Sequence, residues 1–72
     1  MMKELIEEIK GLNNNMKKLE KYVEKNKFTE DPVVLSVMKT QLEQMNDYFN
    51  ILILRLGLQF GEAKCAEFLS TL

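Results

Sequence analysis

The sequence predicts an all-α protein: an antiparallel helical hairpin with a coiled-coil-like seam, a short C-terminal helix, and assembly as a homo-oligomer. Three observations carry this. Apolar residues recur at alternating steps of three and four in two long segments. An Asp-Pro pair after a short polar stretch separates the segments. The 72 residues are enough for one domain only, 1–72, which at this size has little stability to spare.

The first helix is expected over about 2–26. Met2, Ile9, Met16 and Val23 fall at heptad position a, and Leu5, Leu12 and Leu19 at d. Glu4, Glu7 and Glu8 lie near its start, and Lys17, Lys18, Lys21 and Lys25 near its end, an order that complements the helix dipole. Gly11 with Asn13, Asn14 and Asn15 is its weak point; one helix held by packing is expected to run through it, with room there for a kink.

The string NKFTEDP interrupts the periodicity, with Phe28 as its apolar anchor. Asp31 suits an N-cap and Pro32 the first helical position. The second helix is expected over about 32–56, with Leu35, Met38, Leu42, Met45, Phe49, Leu52 and Leu56 repeating the seam. The connection is short, so the two seams should face each other antiparallel. The predicted core is these seam residues together with Leu5, Ile9, Leu12, Met16, Leu19, Val23 and Phe28.

From Tyr48 onward the second helix is apolar nearly all round. One partner helix cannot cover that circumference, so the excess must meet another chain or the C-terminal segment folded back, and Ile51, Ile53, Leu54 and Leu58 are expected to form an interface between copies. Gly57 reads as a helix stop, with Leu58 packing back in a Schellman ending. The rival reading runs the helix through both Gly57 and Gly61. A last helix is expected over about 62–71, with Ala63, Ala66, Phe68, Leu69 and Leu72 on a weak apolar face.

Composition narrows function mainly by exclusion. There is no histidine and only one cysteine, Cys65, so neither an internal disulfide nor a usual zinc or haem site is expected. The net charge of −1 argues against a general binder of duplex nucleic acid. The start, MMKELIEEIK, lacks the basic-then-apolar order of a secretory signal. The most apolar stretch, from Ile51 to Leu58, contains Arg55 and is too short to span a bilayer. A cytoplasmic protein with no membrane partner, no cofactor, no metal and no catalytic residues is expected. Ser36 and Ser70 lack an activating base, and the paired glutamates Glu4/Glu8 and Glu20/Glu24 fall outside the seam on a face expected to be solvated, whereas acid/base work needs one of a pair partly buried. Cys65, beside Lys64, reads as a small apolar residue.

Two groups of cations remain. Arg55 is the only arginine and lies in the most apolar stretch, on one stripe with Tyr48 and Ile51. A guanidinium there calls for a partner: a carboxylate across an interface, or a ligand phosphate or carboxylate. Lys18, Lys21 and Lys25 share one helical face, which is either a solvated surface or an anion site. Gln41 could read the polar edges of a ligand.

The string QLEQMNDYFNILILRL resembles a crAss-phage-related family of short helical-hairpin proteins from phages and prophages. Gln41, Leu42, Met45, Tyr48, Ile51, Leu52, Arg55 and Leu56 carry the pattern. The first helix is also similar, with its leucine-rich run and Tyr22, and Phe28 matches the start of the connection. The likeness covers roughly residues 4–56; Gly11 and the three asparagines depart from its usual charged residues. It implies a phage or prophage hairpin, located in the host cytoplasm, and assigns no activity. Small phage proteins of this build act on host defence, which gives two expectations. One is an oligomeric sponge that sequesters an anionic nucleotide-like immune signal through Arg55, Tyr48, Gln41, Lys18, Lys21 and Lys25. The other is a helical protein-interaction module or inhibitor docking on a host or phage protein.

Overall fold

The computed structural model describes residues 2–72 as three helices, α1 (Met2–Lys25), α2 (Pro32–Phe60) and α3 (Glu62–Leu69), with no strand among them. The molecule is a rod of 44 × 18 × 17 Å.

α1 and α2 form the antiparallel hairpin. Leu5 and Ile9, early in α1, pack with Leu52 and Leu56, late in α2. Val23, late in α1, lies beside Leu42, nearer the start of α2. Heptad spacing brings one edge of each helix to the seam, and Leu5, Ile9, Met16, Val23, Leu35, Leu52 and Leu56 are buried there. Leu12, Leu19, Met38, Leu42, Met45 and Phe49 lie half-buried along its margins. The helix runs through Gly11 and the asparagines, so packing along the seam outweighs their weak propensity.

The connection closes on itself. Asn26 N–H donates to the Tyr22 carbonyl at 2.9 Å, Glu30 N–H donates to the Asn26 carbonyl at 2.9 Å, and the Tyr22 hydroxyl donates to Glu30 Oε2 at 2.6 Å. Asp31 caps α2 by accepting from Val33 N–H at 2.8 Å. Phe28 is not part of the core: it is 90% exposed, with Lys27 Nζ 5.3 Å from its ring centre. The polar bonds of the turn fix the backbone in a course that points this ring outward.

α2 does not stop at residue 56 but continues through Gly57 to Phe60. Gly61 N–H still donates to the Gly57 carbonyl at 3.0 Å. The break falls at Gly61, whose φ of +96° and ψ of 154° suit glycine almost alone. Gly57 is where α3 passes close: a Cβ on it would lie 4.0 Å from Cys65 Cβ. α3 ends at Leu69, short of the expected 71, and turns through Thr71, whose N–H donates to the Phe68 carbonyl. Phe68 inserts between Leu5, Ile9, Leu52 and Leu56 and completes the core at this end of the rod.

Candidate functional site

The turnward half of the hairpin carries a groove along one flank of the seam, about 470 Å³ in volume. α1 contributes Asn15, Lys18, Leu19 and Tyr22; α2 contributes Met38, Gln41 and Met45. Residues 15, 18, 19 and 22 are spaced by one helical turn, and so are 38, 41 and 45, so each set presents one face. Lys18 and Gln41, 23 residues apart in the sequence, thus line one concave surface. Tyr22 is 41% exposed, and its hydroxyl is already engaged by Glu30. That bond, reinforced by the glutamate's charge, holds the phenol above its ordinary value of 10.0. The groove therefore combines one cation, two amides, an accessible aromatic edge and two methionine side chains.

The opposite flank has a second groove of about 500 Å³, lined by Lys17, Glu20, Lys21, Val23, Glu24 and Leu42. Its two lysines are matched by two glutamates. Glu24 also bonds Lys27 Nζ at 2.9 Å, which holds its carboxyl below the usual value of 4.5. Lys21 is thereby separated from Lys18 and Gln41. Lys25 is exposed and lines neither of these grooves.

Arg55 lies far from both. It stands fourteen residues after Gln41 on one continuous helix, a rise of about 21 Å. It is exposed and has no hydrogen bond or ion pair among the described residues. Its charge reaches Tyr48, where it favours ionisation of the phenol. The stronger influence there is the bond that Tyr48 donates to Glu8, which keeps the phenol above its ordinary value. Of the predicted residues, Lys18 and Gln41 share one groove, Tyr48 and Arg55 lie farther along α2, away from the turn, and Lys21 and Lys25 join neither group. Asn15 and the Glu8 partner escaped the sequence reading. Asn15 shares the stripe of Lys18 and Tyr22 and was within reach of a helical projection, whereas Glu8 lies forty residues from Tyr48 and left no local signal.

Around Arg55 the surface is apolar. Ile51 is 54%, Leu54 61% and Leu58 78% exposed. Ile53 differs: it is half-buried beneath α3, and its carbonyl oxygen lies 3.7 Å from Cys65 Sγ. Leu54 and Leu58 also border an apolar groove of about 370 Å³ between α2 and α3. Among the described residues no polar or charged residue is buried, and no group of three or more possible metal-ligating side chains is gathered. No described helix is long and apolar enough to cross a membrane.

A family model described as Sequestin matches residues 1–58. The match takes in α1, the turn and α2 as far as Leu58, and leaves α3 outside it. No curated protein and no solved structure matches the chain.

Proposed function

The chain belongs to the Sequestin family, and from that premise we propose that it is a non-enzymatic, homo-oligomeric protein that binds and withholds an anionic nucleotide-like immune signal. The family name denotes sequestration. The observation that carries the choice of ligand is the groove in which Lys18, Gln41, Asn15 and Tyr22 converge. An ammonium suits a phosphate, the tyrosine edge suits a base, and two amides suit polar base edges. Withholding a ligand asks only for such contacts and some exclusion of water; it requires no proton transfer, metal or cofactor. Lys21 and Lys25 stand outside this groove, Lys21 among Glu20 and Glu24 on the other flank, and take no direct part in holding the ligand there. Arg55 with Tyr48 is a second cationic position, open in the single chain to a ligand anion or to a carboxylate of another copy. In this reading the protein is phage- or prophage-encoded, acts in the host cytoplasm as a counter-defence sponge, and has neither duplex nucleic acid nor membrane as partner.

One observation favours a second reading, a helical module or inhibitor docking on a host or phage protein. The apolar groove beside Leu54 and Leu58 is the kind of surface that takes a helix.

Calorimetric titration with a panel of cyclic and linear nucleotides decides between them. The expected result is binding by the wild-type chain, weakened about tenfold or more by Lys18→Ala and Gln41→Ala, the scale of a lost charge-assisted bond. Arg55→Ala reports separately on the second cluster. No heat from any nucleotide, at protein well above about 10 μM, a working scale for weak affinity, removes the sponge and leaves the docking module.

A further inference from the structure

α2 carries a second, unpartnered stripe. Leu52 and Leu56 face α1 and are buried, while Ile51, between them and Tyr48, is half-exposed together with Leu54 and Leu58. Steps of three and four place Tyr48, Ile51, Leu54, Arg55 and Leu58 along the outer side of the helix. α1 occupies the inner side, and α3 lies over Ile53.

Two opposite charges flank this stripe symmetrically. Asp47 is four residues before Ile51, and Arg55 is four residues after it. Arg55 is the only charge between Asp47 and Glu62. Neither Asp47 nor Arg55 has a hydrogen-bond or ion-pair partner among the described residues.

We infer that two copies pack their α2 helices antiparallel across this stripe, with a two-fold axis at Ile51, so that Arg55 of each copy meets Asp47 of the partner subunit. A two-fold contact pairs residues equidistant from its axis. With the axis at Ile51, position 47 falls opposite 55, 48 opposite 54, and 44 opposite 58. Both ion pairs form at once, Ile51, Leu54 and the Tyr48 ring meet between them, and Leu58 lies just outside them opposite Gln44 of the partner subunit. A parallel pairing sets Asp47 against Asp47 and Arg55 against Arg55, which like-charge repulsion opposes. Moving the axis one turn toward the C-terminus brings the two arginines together. Moving it one turn the other way sets Arg55 opposite Lys39 and Asp47 opposite Asp47. The charges thus select both direction and register. A standard interface takes about 800 Å² from each partner, roughly 15% of the chain's 5407 Å².

The inference rests on the homo-oligomeric part of the proposed function. It assigns Arg55 to assembly and leaves the ligand to the Lys18–Gln41 groove.

Light scattering of the full chain at low micromolar concentration tests it, on wild type, D47R, R55D and the double variant D47R/R55D. The wild type should be a dimer. Each single reversal should weaken the dimer about tenfold or more, the scale of coupled interfacial charges, and the double reversal should restore it. All these positions are exposed, so helical circular dichroism should be unchanged. Independently, I51C in a C65S background should crosslink on oxidation into a disulfide-linked dimer. A wild-type monomer, a dimer indifferent to the single reversals, a double variant that stays dissociated, or I51C that does not crosslink overturns the inference. Nucleotide calorimetry on the same samples keeps the two readings apart. Ligand heat without this dimer defeats the interface alone, and the dimer without ligand heat defeats the ligand alone.

Discussion

Tyr48 on α2 donates its hydroxyl hydrogen to a carboxylate oxygen of Glu8 on α1, tying together two helices at positions forty residues apart. Tyr22 makes the equivalent bond to Glu30 at the other end of the hairpin.

Both phenols are expected to titrate above 10.0, because ionisation removes the proton each donates to its glutamate. A pKa raised by folding stabilises the fold fully below the unfolded value, and that contribution is lost as pH rises through the folded value. The hairpin should therefore loosen in alkali as the phenolate absorbance appears. Glu8→Gln should lower one phenol midpoint and Glu30→Gln the other. Arg55→Ala should raise that of Tyr48 further, since the arginine favours its ionisation. Midpoints at or below the ordinary value in the wild type contradict these assignments.

Gly57 and Gly61, four residues apart, should respond in opposite directions to alanine. Gly57 is helical and its added Cβ meets Cys65 Cβ at an ordinary 4.0 Å, so Gly57→Ala should stabilise by about 0.5–1 kcal/mol. Gly61 has a positive φ, so Gly61→Ala should cost about 1–3 kcal/mol. Urea unfolding midpoints of the two variants give the comparison, and equal shifts in one direction would refute the placement of the helix break.

Phe68→Ala and Phe28→Ala separate a core ring from a surface ring. Phe68 is 7% exposed within the Leu5–Ile9–Leu52–Leu56 cluster, so its loss should cost about 3–5 kcal/mol. Phe28 projects from the turn, and its loss should stay within about 0.5 kcal/mol. Thermal or urea unfolding of the pair checks this, and a costly Phe28→Ala would return that ring to the core.

Ligand capture in the Lys18–Gln41 groove should weaken with salt, because the groove is open and its cation is on the surface. Raising ionic strength from about 0.01 M to about 0.1 M shortens the screening length from about 30 Å to about 10 Å. The same nucleotide titrated at both should bind less tightly at the higher, and Lys18→Ala should flatten that dependence. A salt dependence unchanged by Lys18→Ala would place the anion elsewhere.

The hairpin was legible because its seam obeys a local rule: a step of three or four decides whether Ile9 or Leu52 faces inward. The errors fall where a local rule meets tertiary structure. A glycine after Leu56 looks the same whether it ends a helix or lets another pass beside it, and only the position of α3 distinguishes the two. Phe28 looked like an anchor because an apolar ring in a short turn usually is one. The hydrogen bonds of Asn26 and Glu30 set its direction, and they depend on a turn geometry that spacing does not encode. The two cation clusters were found by residue type. The distance between Gln41 and Arg55 follows from the unbroken course of α2 through both.

The core is uneven along the rod. Ile9 and Leu52 are fully shielded and Leu56 nearly so at the three-helix end, whereas Met16, Val23 and Leu35 are each 8 or 9% exposed in the two-helix half. Amide hydrogens should therefore exchange along a gradient, slowest around Leu52 and fastest toward the turn, because local opening follows the density of buried apolar contacts. The groove that holds Lys18 and Gln41 sits on the more yielding half. The walls of that groove should therefore part at lower cost than the contacts around Leu52, so a guest can enter without opening the three-helix end.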